Sequence, residues 1–163
     1  MGYHVAGRYR IERELGRGAF GVVMRGWDQR ENRPVAVKML PGLGQVEPEE
    51  RKGVLATFRR EAQALAWLKH PAIVSLYETG QTADGVWYLV CEYIGGATLE
   101  ERLKGGALPV AEAATIATEL ADALHYAHEH GVIHRDVKPS NIIIDGEGRV
   151  LLAWVPPAVV AGD

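Results

Sequence analysis

The chain has few of the features that mark secreted, membrane-anchored or nucleic-acid-binding proteins. Its 163 residues include one cysteine, Cys91, so no disulfide can form within the chain and a reducing cytoplasmic setting is expected. No apolar run is long enough to span a bilayer, and the first ten residues lack the apolar core of a signal peptide. The net charge is only -3, which argues against a nucleic-acid partner or a polybasic membrane anchor.

The composition and the residue pattern predict a globular protein with two kinds of architecture. Hydrophobic residues make up 47% and charged residues 24%, a balance typical of folded domains. The first half alternates like strands around one helix, and the second half is mainly helical, with a boundary at Gly95 and Gly96. The predicted strands are 9–15, 21–28, 35–40, 73–79, 86–93, 141–145 and 149–153, and the predicted helices are 49–69, 98–104 and 109–130. Trp67 and Tyr77 are expected in the core.

A glycine-rich segment, LGRGAFGVV, carries Gly16, Gly18 and Gly21 at a spacing that lets backbone approach a phosphate closely. The pattern alone is weak, since it is also typical of a flexible hairpin turn. A dinucleotide-binding fold would need a helix after the glycines, whereas a β-branched strand follows here. A hairpin that lies over a nucleotide, with Val23 reaching the base, fits better.

A lysine and a glutamate form the second candidate pair. Lys38 in VAVK lies two residues after Ala36, so both side chains point to one face of a strand. Glu61 lies on the apolar stripe of the first helix, where an unpaired carboxylate would be costly to bury. An isolated lysine is usually a solvated surface residue, but Glu61 needs a cation and Lys38 is the natural partner. The pair would hold the lysine ready for nucleotide phosphates.

The segment HRDVKPSNIII contains the most specific order of residue types in the chain. Asp136 and Asn141 are separated by four residues, so one loop can present both side chains toward one site. Asp136 would accept the proton of an attacking hydroxyl, and Asn141 would ligate a metal ion. The alternative, a surface loop next to a helix cap, does not account for this order. Three nearby histidines in HYAHEH are better interpreted as a polar helix end than as a metal site.

Together these motifs make the sequence recognisable. LGRGAFGVV, VAVK, the helix with Glu61, HPAIV, CEYIGG and HRDVKPSNIII occur in protein-kinase order. From about Tyr9 to about Leu152 the chain resembles bacterial eukaryotic-like serine/threonine protein kinases. The resemblance implies an α+β fold with a β-rich N-lobe, a hinge, and the start of a helical C-lobe. The implied division is 1–8 tail, 9–94 N-lobe with a five-stranded sheet and one helix, 95–152 partial C-lobe, and 153–163 divergent tail.

The resemblance also implies ATP and Mg²⁺ as cofactors and a protein as substrate. Adenine would bond to the backbone of Glu92 and Ile94, and Cys91 would be the gatekeeper. Lys138 matches the serine/threonine class and would steady the transferring phosphate. The remaining nucleotide contacts would come from the following residues: Leu15, Gly16, Gly18, Gly21, Val23, Ala36, Lys38 and Ile143.

One stretch departs from the family pattern. Alignment of RVLLA on the family's strand puts Trp154, Val155 and Pro156 where Asp-Phe-Gly would stand, so the magnesium-binding aspartate is missing. The expectation is a C-terminally truncated kinase with little or no catalysis, in which Ile116, Leu120 and Leu124 partly face water. Two alternatives stay open: a non-catalytic module that binds nucleotide or docks on a full-length kinase, and a decayed gene product.

Overall fold

The structure is a computed structural model that describes residues 2–17, 21–40 and 46–153, without the side chains of 57, 58 and 61. The chain forms two compact units. The described residues of the first unit lie in Met1–Ala66 and Leu76–Tyr93. Those of the second unit lie in Trp67–Ser75 and Ile94–Trp154.

The first unit contains an antiparallel sheet with the strand order β1-β2-β3-β4-β6-β5. Its strands are β1 His4–Val5, β2 Tyr9–Arg17, β3 Val22–Asp28, β4 Arg33–Leu40, β5 Leu76–Gln81 and β6 Trp87–Glu92. The sheet has six strands rather than the expected five because the tail adds one, with His4 paired to Arg10 and Val5 to Tyr9. Its core follows the alternation of the strands and comprises Val5, Tyr9, Val35, Val37, Met39, Tyr88 and Val90.

Within the described part of this unit the chain forms one helix, α1, which covers Pro48–Trp67. Proline at the first helical position needs no backbone donor, and Glu49 and Glu50 in the first turn complement the helix dipole. Ala62 and Leu65 are buried, as the stripe predicts. Trp67 is 77% exposed, so its expected core position is wrong. It lies two positions after Leu65, roughly 200° around the helix from the buried stripe.

The second unit combines helices with a small sheet in the order β7-β8-β9. Its elements are β7 Gly96–Thr98, α2 Leu99–Leu103, α3 Val110–Glu129, a 3-10 turn Pro139–Asn141, β8 Ile142–Asp145 and β9 Val150–Leu152. Thr98 and Glu101 form a capping box that starts α2. No helix in the described ranges is long and apolar enough to cross a membrane.

The segment before β5 differs from the sequence prediction. The strand begins at Leu76 rather than at residue 73. Ile73 instead forms a parallel bridge with Leu152 of β9. The backbone of Ala72 accepts a hydrogen bond from Leu152 N–H at 2.7 Å, and Val74 N–H donates to Leu152 O at 3.0 Å. These residues therefore belong to the second unit, where they extend the edge of β9.

The buried stripe of α3 is formed by Ile116, Ala123 and Ala127, which recur at helical spacing. Leu120 and Leu124 are half-buried, as expected, whereas the expectation for Ile116 is wrong, since it is 7% exposed.

Candidate active site

The sheet of the first unit brings four candidate residues to one face. Strand pairing places Val23 opposite Lys38, and Ala36 opposite Cys91. Directly opposed residues share a face, and Ala36 and Lys38 are two residues apart on β4, so the four side chains line one surface. Lys38 is deeply placed, with 4% exposure.

Burial decides the electrostatics of this face. It lowers the pKa of Lys38 to about 7, because the desolvated ammonium is disfavoured, although the nearby Cys91 opposes the shift. Burial also raises the pKa of Cys91 to about 12, so its thiol stays neutral. The expected pairing of Lys38 with Glu61 involves the Glu61 side chain, which lies outside the described part of the structure.

Gly21 lies against β4, the strand that carries Lys38. A Cβ at this position would collide with the carbonyl oxygen of Met39 and would lie 3.2 Å from Cε of Lys38. Only glycine therefore fits at this position beside the strand. Gly16 is paired with Val23 on β3, and Leu15 beside it is half-buried. Gly18, also a predicted contact, lies outside the described residues.

The residues expected around the base divide between the two units. Glu92 ends β6 and is paired with Val35. Ile94 is half-buried and begins the second unit. Ile143 on β8 is half-buried, while Ile142 and Ile144 on the opposite face are buried. The alternation leaves Ile143 as the isoleucine of this strand with accessible surface.

A compact hydrogen-bonded loop holds the catalytic candidates of the second unit. Asp136 N–H donates to Nδ1 of His134 at 3.0 Å, and Nε2 of His134 lies 2.9 Å from the carbonyl oxygen of Ala153. The Asn141 side chain, in a residue 5% exposed, donates from Nδ2 to the Asp136 carbonyl at 2.8 Å. These bonds fix the loop from both sides, so the Asp136 carboxylate has a defined position.

A lysine and an asparagine of the loop point toward the Asp136 carboxylate. Lys138 Nζ lies 3.4 Å from Oδ2 of Asp136, and Asn141 Nδ2 lies 3.4 Å from the same oxygen. Both Lys138 and Asp136 are about half exposed, so the pair is accessible to a substrate. Arg135, which directly precedes Asp136, has φ of 73°, a left-handed conformation that costs a non-glycine residue energy. The surrounding bonds hold this strained geometry in place.

Sequence reasoning missed the contribution of Ala153 to the support of this loop. Asn141 N–H donates to Lys138 O at 2.9 Å, and Ala153 N–H donates to Asn141 O at 2.8 Å. The bonds of Ala153 are made by its backbone, so no side-chain pattern could have predicted them. Residues 154–156, where the departure from the family pattern was predicted, lie outside the described residues.

Comparison with known proteins agrees with this geometry. The model of the protein kinase domain family matches residues 9–153. The chain is 37% identical to the serine/threonine-protein kinase PrkC of Bacillus subtilis over 151 residues, which is 92% of this chain and 22% of PrkC. It is 41% identical to the probable serine/threonine-protein kinase SCO3848 of Streptomyces coelicolor over 163 residues, 98% of this chain and 24% of that protein.

A solved structure shows the same fold. The crystal structure of the PknI kinase domain of Mycobacterium tuberculosis superposes with a TM-score of 0.82 at 32% identity, covering 97% of this chain and 63% of that domain. The chain thus spans less than a quarter of these two curated relatives and under two thirds of the solved domain. The predicted protein-kinase fold is confirmed, and the chain belongs to the protein kinase family, among the bacterial serine/threonine-protein kinases.

Proposed function

We propose that the chain contributes to phosphoryl transfer from ATP to a serine or threonine hydroxyl of a protein. The observation that carries this proposal is the loop in which Asp136, Lys138 and Asn141 converge within 3.4 Å. A carboxylate that is oriented by hydrogen bonds and remains accessible suits a base that accepts a hydroxyl proton. The neighbouring Lys138 ammonium would offset the negative charge of the phosphoryl group during transfer.

The nucleotide would be held mainly by the first unit. Lys38 suits a phosphate contact because a buried cation interacts strongly with an anion that enters its low-dielectric surroundings. Gly21 would contribute its backbone to this contact, because the absence of a side chain lets it lie against the strand that carries Lys38. Val23 and Ala36 on the same face, together with the backbone of Glu92, would bind the base. The contacts expected from Ile94 and Ile143 stay predictions.

Magnesium would supply charge neutralisation for the phosphates when it is bound. Asn141 fits this ion as one ligand, because its Nδ2 is engaged with Asp136 and its side-chain oxygen is the hard donor that remains. The other ligands would be phosphate oxygens and water. No group of three or more His, Cys, Asp and Glu side chains in the described part of the chain forms a further cluster.

The sequence has Trp154, Val155 and Pro156 where the family has Asp-Phe-Gly, and this difference affects the expected rate of phosphoryl transfer. An aspartate at residue 154 would add a carboxylate ligand to the amide oxygen of Asn141, whereas tryptophan adds none. We therefore propose that transfer by this chain is slow, and that Trp154→Asp raises the rate at low magnesium concentration. A rate that Trp154→Asp leaves unchanged would contradict that proposal.

Nucleotide binding is tested separately from transfer. ATP with magnesium should raise the melting temperature of the chain at millimolar concentration, because a ligand that binds only the folded state stabilises it. Lys38→Met should abolish the shift, and Lys52→Met, which replaces an exposed lysine on α1, serves as the matched control. No shift in the unsubstituted chain would contradict the nucleotide proposal. The protein substrate and the cytoplasmic setting stay predictions.

A further inference from the structure

Two histidines of the second unit form the same local turn. Nδ1 of His70 accepts a hydrogen bond from Ala72 N–H at 3.0 Å, as Nδ1 of His134 accepts one from Asp136 N–H at 3.0 Å. A ring nitrogen accepts such a bond only when it carries no proton. Both rings are therefore neutral imidazoles with the proton on Nε2 in this geometry, as inferred from their hydrogen bonds.

The proton of His70 has its own acceptor on α3. Nε2 of His70 lies 3.2 Å from Oδ2 of Asp122, and the His70 side chain is 14% exposed whereas that of Asp122 is 74% exposed. The ring of Tyr126 also packs against His70, with centroids 5.2 Å apart, and the His130 ring lies tilted against Tyr126 at 4.3 Å. The Tyr126 hydroxyl accepts a bond from the backbone of the adjacent, exposed Lys69 at 3.0 Å.

Backbone bonds continue from this turn to the catalytic loop. Ala72, whose N–H bonds to His70, accepts Leu152 N–H at 2.7 Å. The next residue, Ala153, donates its N–H to Asn141 O at 2.8 Å and accepts Nε2 of His134 at 2.9 Å. His134 in turn holds the N–H of Asp136. Hydrogen bonds, together with the backbone of Ala72 and the peptide link from Leu152 to Ala153, thus join the Asp122 carboxylate to the proposed base.

We propose that His70, oriented by Asp122, is a positioning residue for the loop that carries Asp136. The carboxylate keeps the His70 proton on Nε2, so Nδ1 stays available to Ala72 N–H. That bond fixes the register of Ala72 against Leu152, and hence the position of Ala153 between Asn141 and His134. The inference rests on the proposed role of Asp136 as the base, but the link between the two sites does not depend on turnover.

Amide hydrogen exchange, measured by NMR on the full chain without nucleotide, tests this inference. We expect Asp122→Asn to lower the protection factors of the Ala72, Leu152 and Asp136 amides at least tenfold at pH 7.5. Glu129→Gln is the matched control, because it removes the other carboxylate of α3 that pairs with a histidine, His125 at 3.4 Å. It should leave the three protection factors unchanged. Equal effects of the two substitutions, or no effect of Asp122→Asn, would overturn the proposal.

A conservative variant separates positioning from simple structural support. His70→Asn keeps an acceptor oxygen near the position of Nδ1, so the protection factors of the Ala72, Leu152 and Asp136 amides at pH 7.5 should stay within about threefold of those of the unsubstituted chain. His70→Ala removes the acceptor and should lower all three at least tenfold. Equal protection in the two variants would overturn the role of His70. Because no ATP is present, these results are independent of whether the chain transfers phosphate.

Discussion

At the scale of single residues, the buried ammonium of Lys38 has the most direct consequence for ligand binding. Its pKa of about 7 means that most Lys38 side chains are neutral at pH 8. Phosphate oxygens favour the charged form, so ATP binding at pH 8 should be accompanied by uptake of a proton at Lys38. The affinity should consequently fall as the pH rises above 7, by up to about tenfold per pH unit.

Calorimetry in buffers of different ionisation enthalpy measures this uptake. Lys38→Arg is the control, since a guanidinium stays protonated throughout this range and ATP's own ionisation is common to both proteins. The unsubstituted chain should take up close to one more proton than Lys38→Arg at pH 8, and a much smaller excess at pH 6. An equal number of protons in the two proteins at pH 8 would contradict the lowered pKa.

A second residue-scale prediction concerns the buried carboxylate of Asp28. It accepts two bonds from the Arg8 guanidinium, both at 2.7 Å, and is 1% exposed. The bonds from Arg8 lower the pKa of Asp28 to about 2, against the opposing effect of burial. The pKa of this carboxyl is about 4 in the unfolded chain, so its lower pKa in the folded state stabilises the fold at any pH above about 4. This stabilisation is lost as the pH falls from about 4 to 2.

Asp28→Asn should therefore lower the free energy of unfolding by about 2 kcal/mol at pH 7, because hydrogen bonds to a charged partner are lost. Urea denaturation at pH 7 and at pH 2 checks both the size and the pH dependence, and the difference between the proteins should shrink at the lower pH. Glu14→Gln, which breaks the exposed pair with Arg17, is the control and should change nothing measurable. An undiminished difference at pH 2 would be inconsistent with the pKa of Asp28.

At the scale of elements, the pairing of β7 with β8 depends on a single glycine. A Cβ on Gly96 would collide with the carbonyl oxygen of Ile144 and come within 2.9 Å of Asp145 Cα, whereas one on Gly95 would meet nothing within 4 Å. Gly96→Ala should destabilise the second unit by about 1–3 kcal/mol, since backbone must move. Gly95→Ala is the neighbouring control, expected within about 0.5 kcal/mol of the parent in denaturant unfolding. Similar values for the two variants would contradict this packing.

In helix α1, by contrast, a glycine can be replaced by alanine with a gain in stability. Gly53 lies inside the helix, and a Cβ there would meet nothing within 4 Å. Gly53→Ala should stabilise the chain by about 0.5–1 kcal/mol, because alanine loses less backbone entropy in a helix. The reverse change at an exposed site of the same helix, Ala56→Gly, should cost a similar amount in the same urea titration. A loss of stability in Gly53→Ala would mean that this segment is not helical.

Helices and strands with a clear local period could be predicted from the sequence, whereas the shortest strands, which are defined by their pairing alone, could not. The stripe with Ala62 and Leu65 predicted α1 almost to its ends because a long helical period is a local signal. β1 and β7, of two and three residues, are too short to show a period and exist only through their partners. The segment around Ile73 is strand-like in sequence, but its pairing with Leu152 is non-local.

At the scale of the whole molecule, the order of motifs along the sequence was enough to predict the family. The residues that support the catalytic loop could not be predicted, because they act through long-range contacts. Asp136 and Asn141 could be identified because their residue types and spacing are specific. Asp122 and Ala72 could not, because a surface carboxylate and a small apolar residue have no distinctive pattern. Their contribution depends on bonds between segments about fifty residues apart or more, which only the folded second unit brings together.

The most direct test of the proposed function is transfer of labelled phosphate from ATP to a generic protein substrate, measured over long times with the parent chain and Asp136→Asn. A positioned base contributes about 10²–10⁴-fold, so the parent should transfer phosphate to serine or threonine and the variant should be at least ~100-fold slower. Equal rates in the two proteins would contradict the role of Asp136. No transfer by a parent chain that still binds ATP would contradict phosphoryl transfer itself and leave a nucleotide-binding module.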